Sequence, residues 1–195
     1  MIDRACAAIN AGKPVVMPTD TVYGLVASPY RREPAERLFE LKGRDRLQAI
    51  AVVAADVEML FELVPELRGR SGTIVRELLP GPYTLILPNP ARRYPWLTGA
   101  RPDTIGVRVP SVRGYGSRLL ARVGAVAATS ANLHGGPDPR TIADIPQAIL
   151  DGVAEVVDDG ELPGTPSTVI DFTGPKPVVI RAGAGDVERA LAAPG

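Results

Sequence analysis

The chain has one cysteine, Cys6, and one histidine, His134, among its 195 residues. An intramolecular disulfide and a Cys/His metal cluster are therefore excluded. Lysine is scarce: Lys13, Lys42 and Lys176 are the only three, and arginine supplies the remaining positive charge. The 22 basic residues are matched by 22 acidic ones, for a formal net charge of zero. The chain-wide basic excess typical of nucleic-acid binders is missing, which leaves room only for a local basic patch. Aromatic residues are 5% of the chain, too few for a row of base-stacking platforms. No long apolar run follows the charged start "MIDRACAAINAGKP", so no signal peptide or membrane span is expected. There is no P-loop, no dinucleotide-binding glycine fingerprint and no nucleophile elbow. These absences point to a soluble cytoplasmic protein with no membrane association and no metal site of its own.

What is present suits a globular fold. Hydrophobic residues make up 45% of the chain, and glycine and proline number 20 each, so a real core is broken by frequent turns. The length fits a single domain, expected to occupy residues 1–195. Apolar spacing predicts helices over 3–12, 33–44, 57–64, 73–79, 115–123, 141–150 and roughly 186–192. Strands are predicted over 14–17, 49–54, 83–87, 104–110, 125–132, 154–159, 167–172 and 177–181. Helices and strands alternate and the tail is rich in strands. This pattern predicts an α/β fold of α+β-like character, built on an open sheet of mixed direction. Residues 88–103 form the longest irregular stretch, which suits either an ordinary surface loop or a loop covering a ligand.

Polar residues gather at the ends of these elements. "VMPTDTVYGLVA", residues 16–27, sets Thr19, Asp20, Thr21 and Tyr23 directly behind a buried strand, more polar groups than a turn requires. "KGR" carries Lys42 and Arg44, "TSAN" carries Thr129, Ser130 and Asn132, and "PSTV" carries Ser167 and Thr168. In open α/β sheets the ligand crevice lies outside the carboxyl ends of strands. On extended backbone, residues two apart face one way, which would align Ser130 with Asn132 and Lys42 with Arg44. Two cations with hydroxyl and amide donors make an anion site, and phosphate is the obvious anion. Each motif also has an ordinary reading: a cation at a helix C-terminus, a cap before a turn, the entry to a strand. Arg108 interrupts an alternating strand and lies either on the solvent face or paired in a cleft.

The order of the motifs adds more. "PTDTVYGL", "KGR", "GPYTLIL", "TIGVRVP", "TSAN", "PSTVID" and "IRAG" together resemble the YrdC-like threonylcarbamoyl-AMP synthase family, from about Val15 to Gly183. The resemblance is to its short, single-domain form; the extra C-terminal domain of the larger form is not expected here. It implies a twisted open mixed sheet flanked by helices around a large concave cleft. It implies an L-threonylcarbamoyladenylate synthase, a nucleotidyltransferase that turns ATP, L-threonine and bicarbonate or CO2 into threonylcarbamoyl-AMP and pyrophosphate. Mg2+ is expected on the triphosphate. A tRNA-modifying threonylcarbamoyl transferase complex is the expected partner, with weak tRNA binding as a further expectation.

Carried over by position, the family's Lys, Arg, Ser and Asn tetrad falls on Lys42, Arg44, Ser130 and Asn132 as catalytic residues. ATP contacts fall on Lys42, Arg46, Thr104, Ser130 and Arg181. Threonine contacts fall on Thr19, Arg108, Ala128 and Ser167, with the backbone near Ala128 bordering the nucleotide. One segment departs from the family pattern. After Lys-x-Arg a proline and a later Pro-Leu pair are usual, whereas this chain runs Asp45, Arg46, Leu47, Gln48, Ala49, Ile50. That loop is expected over the reacting end of threonine. Two alternatives accompany the synthase reading: an RNA-binding module of the same fold, and a carbamoyl-transferring relative using carbamoyl phosphate.

Overall fold

The computed structural model describes residues 1–193. Helix α1 (Ile2–Asn10) buries Ala5, Cys6, Ala8 and Ile9 on one stripe, the helical period read from the sequence. The chain then enters β1 (Val15–Pro18) and, after a four-residue turn, β2 (Tyr23–Ala27). Strand β2 was not predicted. All five of its residues are buried, and a strand covered on both faces lacks the alternation that marks a half-buried one. Helix α2 (Arg32–Lys42) stops at Gly43, whose φ of 61° lies in the left-handed region. Gly43 N donates to Glu40 O at 3.1 Å and Arg44 N to Phe39 O at 3.0 Å, the paired bonds of a glycine C-cap.

Strand β3 (Ala51–Ala54) leads to α3 (Val57–Leu63), capped by Asp56, whose carboxylate accepts from Met59 N at 2.7 Å. Helix α4 (Gly69–Leu78) begins before the predicted window, because Gly69 to Gly72 carry no apolar signal. Strands β4 (Tyr83–Pro88) and β5 (Thr104–Arg108), helix α5 (Gly114–Val123) and strand β6 (Ala125–Ser130) follow. The helix predicted over 141–150 is divided into a 3-10 turn (Ile142–Asp144) and α6 (Gln147–Leu150). Pro146 lies between them and has no N–H to continue a helical ladder. The strand predicted over 154–159 shrinks to β7 (Glu155–Val156). Strands β8 (Thr168–Asp171) and β9 (Val178–Arg181) and helix α7 (Val187–Leu191) complete the order.

The nine strands of the described residues join one open mixed sheet in the order β7-β1-β2-β6-β3-β5-β4-β8-β9. Pairs β1–β7, β3–β5 and β4–β8 are parallel and the others antiparallel. One face carries Tyr23, Leu25, Val52, Leu85, Val107 and Ile170 against Leu38, Phe39, Leu60 and Ile74 of the helices. On the other face, Val15, Met17, Val26 and Val126 pack beneath Ile9 of α1 and Leu119 and Leu120 of α5. The rest of that second face opens into a cleft. Among the described residues, no helix is long and apolar enough to cross a membrane.

Candidate active site

The cleft has a volume of about 700 Å3, within the range of small-molecule sites. Strand alternation selects its floor. Gly24, Ala51, Gly106 and Ala128 face it from β2, β3, β5 and β6, and residues two apart on a strand share a face. Four small residues at the sheet centre leave the hollow that larger side chains would fill.

The turn 19–22 explains its crowd of polar residues. Thr19 Oγ1 donates to Val22 O at 2.7 Å and accepts from Thr21 N and Val22 N, both at 3.2 Å. It lies 3.0 Å from Thr21 Oγ1. Asp20 accepts from Arg108 NH2 at 2.5 Å through one oxygen and from Ser111 N at 3.0 Å through the other. Thr21 Oγ1 accepts a second bond from Arg108 NH2 at 2.8 Å. Tyr23 OH donates to Gly160 O at 2.7 Å and accepts from Asp159 N at 3.0 Å, fastening the segment that leads on to Ser167. Burial pushes the Tyr23 phenol up to about 12.

Arg108 ends β5 near the middle of the sheet, so of its two readings the paired one holds. Burial lowers its basicity, and Asp20 opposes that change. The guanidinium borders the cleft, and its Nε is buried without a protein acceptor.

Lys42 and Ser130 come together across 88 positions of sequence, joined by a direct hydrogen bond. Lys42 Nζ donates to Ser130 O at 2.8 Å, Ser130 Oγ at 3.2 Å and Asn132 O at 3.0 Å, and also to Asn132 Oδ1. Ser130 Oγ donates to Asn132 Oδ1 at 2.7 Å. An ammonium has three N–H groups, and these acceptors occupy all of them. Lys42 is only 4% exposed. Burial, with the Arg44 and Arg181 charges acting the same way and Asp138 acting against them, pushes its pKa down to about 8. Of the four tetrad positions, Arg44 and Ser130 line the cleft, while Lys42 and Asn132 stand behind them and hold the 130–132 turn. Lys42 and Arg44 are not aligned along an extended segment, as the sequence reading supposed. The left-handed Gly43 between them turns the backbone after the helix.

Arg44 NH1 donates to Thr129 Oγ1 at 3.1 Å and NH2 to Ala49 O at 2.7 Å. Its Nε is buried and unpartnered, and burial lowers its basicity. Arg181 enters the cleft from β9 and donates from Nε and NH2 to Ser167 O at 3.1 and 2.8 Å. Ser167 Oγ lies 2.9 Å from Thr84 Oγ1, so Thr84 of β4 belongs to the same group, though no sequence argument singled it out. Its signal was present: in "YTLIL" it occupies the strand phase opposite Tyr83, Leu85 and Leu87. Thr19, Thr104 and Ala128 also line the cleft, and Thr104 Oγ1 donates to Arg101 O at 3.0 Å.

Arg46, expected among the ATP contacts, lies elsewhere. Its NH1 donates to Glu36 at 3.0 Å and its NH2 lies 3.8 Å from Glu40. The acidic face of α2 draws it outward, and it does not line the cleft. The rest of the atypical loop does reach it: Leu47, Ala49 and Ile50 border the cleft. That loop hangs on the 88–103 stretch through Ala100 N to Leu47 O at 2.9 Å and Ile50 N to Leu97 O at 2.8 Å. The long irregular stretch is itself braced by Asn89, whose side chain bonds Arg93 and Pro102, and its Thr98, Ala100 and Arg101 border the cleft.

Known proteins share this fold. A family model for the Sua5, YciO and YrdC domain, described as "Telomere recombination", matches residues 7–183. The threonylcarbamoyl-AMP synthase of Pyrococcus abyssi is 33% identical over 180 residues, covering 92% of this chain and 53% of that protein. A putative threonylcarbamoyl-AMP synthase of Mycobacterium tuberculosis is 33% identical over 189 residues, covering 96% and 86%. Among solved structures, P. abyssi Sua5 complexed with L-threonine superposes with a TM-score of 0.88 at 32% identity, covering 98% of this chain and 57% of that one. Escherichia coli YciO superposes with a TM-score of 0.83 at 28% identity, covering 97% and 92%. The chain thus spans about half the length of the P. abyssi relative and most of the length of the other two proteins.

Proposed function

The chain belongs to the Sua5, YciO and YrdC family, and we propose that it is an L-threonylcarbamoyladenylate synthase. Its substrates are ATP, L-threonine and bicarbonate or CO2, and its products are threonylcarbamoyl-AMP and pyrophosphate. A threonylcarbamoyl transferase complex acting on tRNA then consumes the adenylate.

One observation carries the reading: a single cleft gathers several cationic side chains, Arg108 from β5, Arg44 from the end of α2 and Arg181 from β9, enough to meet two anions. The reaction has the same two demands, one for an amino-acid carboxylate and one for a triphosphate. Arg108 takes the threonine carboxylate, with Thr19, Ala128 and Ser167 beside it. Arg44, Ser130 and Arg181 take the phosphates, and Thr104 adjoins the nucleotide. Lys42 and Asn132 act through the 130–132 turn they hold.

The chemistry needs no side-chain nucleophile. The threonine amine adds to CO2 and releases a proton, giving a carbamate. A carbamate oxygen attacks the α-phosphorus, a P–O bond forms, the bond to the bridging oxygen breaks, and pyrophosphate leaves. The protein contributes position and fixed positive charge where negative charge accumulates. Mg2+ carried by ATP would neutralise phosphate charge. Among the described residues, no group of three or more metal-binding side chains exists. That fits a cation held mainly by substrate phosphates and water.

The test is product identity. Incubation with ATP, L-threonine and 13C-bicarbonate should give a nucleotide that contains threonine and one heavy carbon, read by mass spectrometry. AMP alone, or a nucleotide free of the label, would contradict the reading.

A further inference from the structure

Asp138 is the only carboxylate among the described residues that line the cleft. Four arginines line it with Asp138: Arg44, Arg101, Arg108 and Arg181. Arg101 and Arg108 have acidic partners of their own, Asp171 at 2.8 Å and Asp20 at 2.5 Å. Arg44 and Arg181 bond neutral oxygens. Among the described residues, Asp138 forms no ion pair and its side chain no hydrogen bond, although its charge acts on buried Lys42.

Its position is built. Pro137 and Pro139 flank it and restrict the backbone on both sides. Asn132 Nδ2 donates to Gly136 O at 2.6 Å on one side, and Tyr23 N donates to Pro139 O at 3.0 Å on the other. An unpaired acid is thus fixed close enough for its charge to act on Lys42, in the cleft that Arg44 and Ser130 also line and where the proposed function places the phosphates. Phosphate oxygens next to a bare carboxylate repel it unless a cation stands between them. Mg2+ is bound in this way, by one or two carboxylates with substrate phosphates and water.

We propose that Asp138 is the protein ligand for the divalent cation that enters with the nucleotide, a contact made only when ATP is bound. This rests on the ATP-binding reading above. The assignment makes Asp138 a coupler of metal and nucleotide rather than a metal site in its own right.

Calorimetry of ATP binding without threonine, so that no turnover occurs, tests it in four arms: wild type and Asp138→Asn, each with Mg2+ or with EDTA. Wild type should bind ATP about ten-fold more tightly with Mg2+ than with EDTA, the size of one charge-assisted contact. Asp138→Asn should lose most of that advantage, while binding ATP in EDTA at least as tightly as wild type, because a negative charge beside the phosphates is gone. Asp138→Ser, tested in parallel, should behave the same way. A variant that keeps the full Mg2+ advantage, or binds more tightly than wild type in both arms, overturns the assignment. Wild type that binds no ATP in either arm overturns the nucleotide reading itself, an outcome distinct from the other two.

Discussion

Arg108 and Asp20 form an ion pair of 2.5 Å in which each side chain is only 10% exposed. The pair ties the end of a central strand to the turn that carries Thr19. Removing one member of a buried pair leaves the other charge uncompensated, at a cost of about 3–5 kcal/mol. Arg108→Ala should therefore destabilise the fold by about that amount, and adding Asp20→Asn should recover much of the loss. Denaturant unfolding of both variants checks this; equal stability of single and double variants would contradict it. Threonine affinity should fall by one to two decades in both, about 1.5–3 kcal/mol for a charge-assisted contact, with ATP affinity changed far less.

Gly99 sits at φ 60°, and a Cβ there would lie 2.3 Å from Leu47 O and 2.8 Å from Ala49 N. These are backbone atoms of the 45–50 loop and cannot swing aside. Gly99→Ala should cost at least about 1–2 kcal/mol from the left-handed conformation alone and should push the loop off its seat. Lower thermal stability together with faster amide exchange at Leu47 and Ala49 is the expected result. Unchanged exchange would show that the two segments are not coupled.

Lys42 gives a pH signature. Burial holds its folded pKa near 8, below the ordinary value of 10.5. Below pH 8 the ammonium is charged in both states and its burial costs stability. From pH 8 to 10.5 the unfolded state binds more protons than the folded one, so stability contributed by this residue rises with pH, by about 3 kcal/mol across the window. The stability of wild type relative to Lys42→Met should accordingly improve from pH 7.5 to 10. A flat or falling difference in paired denaturation curves would contradict it.

Local pattern was readable from the sequence, and the reach of long side chains was not. The α1 stripe, the Gly43 stop and the alternation of β4 and β5 follow from period and turn chemistry, and each element formed near its expected place. Strand β2 escaped because burial on both faces erases the period-two signal, and the 141–150 helix failed because a single proline outweighed its apolar spacing. The family resemblance, not any periodicity, named the tetrad. It set Lys42 with Ser130 and Asn132 around a shared anion, whereas Lys42 is buried and bonds both residues directly. Arg46 lies outside the cleft because the acidic face of α2 holds it, a contact that a motif does not display. No sequence argument singled out Asp138; only the three-dimensional cleft makes it the lone acid among arginines in the described lining.

Pyrophosphate release from ATP, followed with L-threonine and bicarbonate each omitted in turn, tests the synthase reading most directly. Release should require both, because the attacking oxygen belongs to a carbamate that neither can form alone. Equal release in the absence of threonine or of bicarbonate would contradict it.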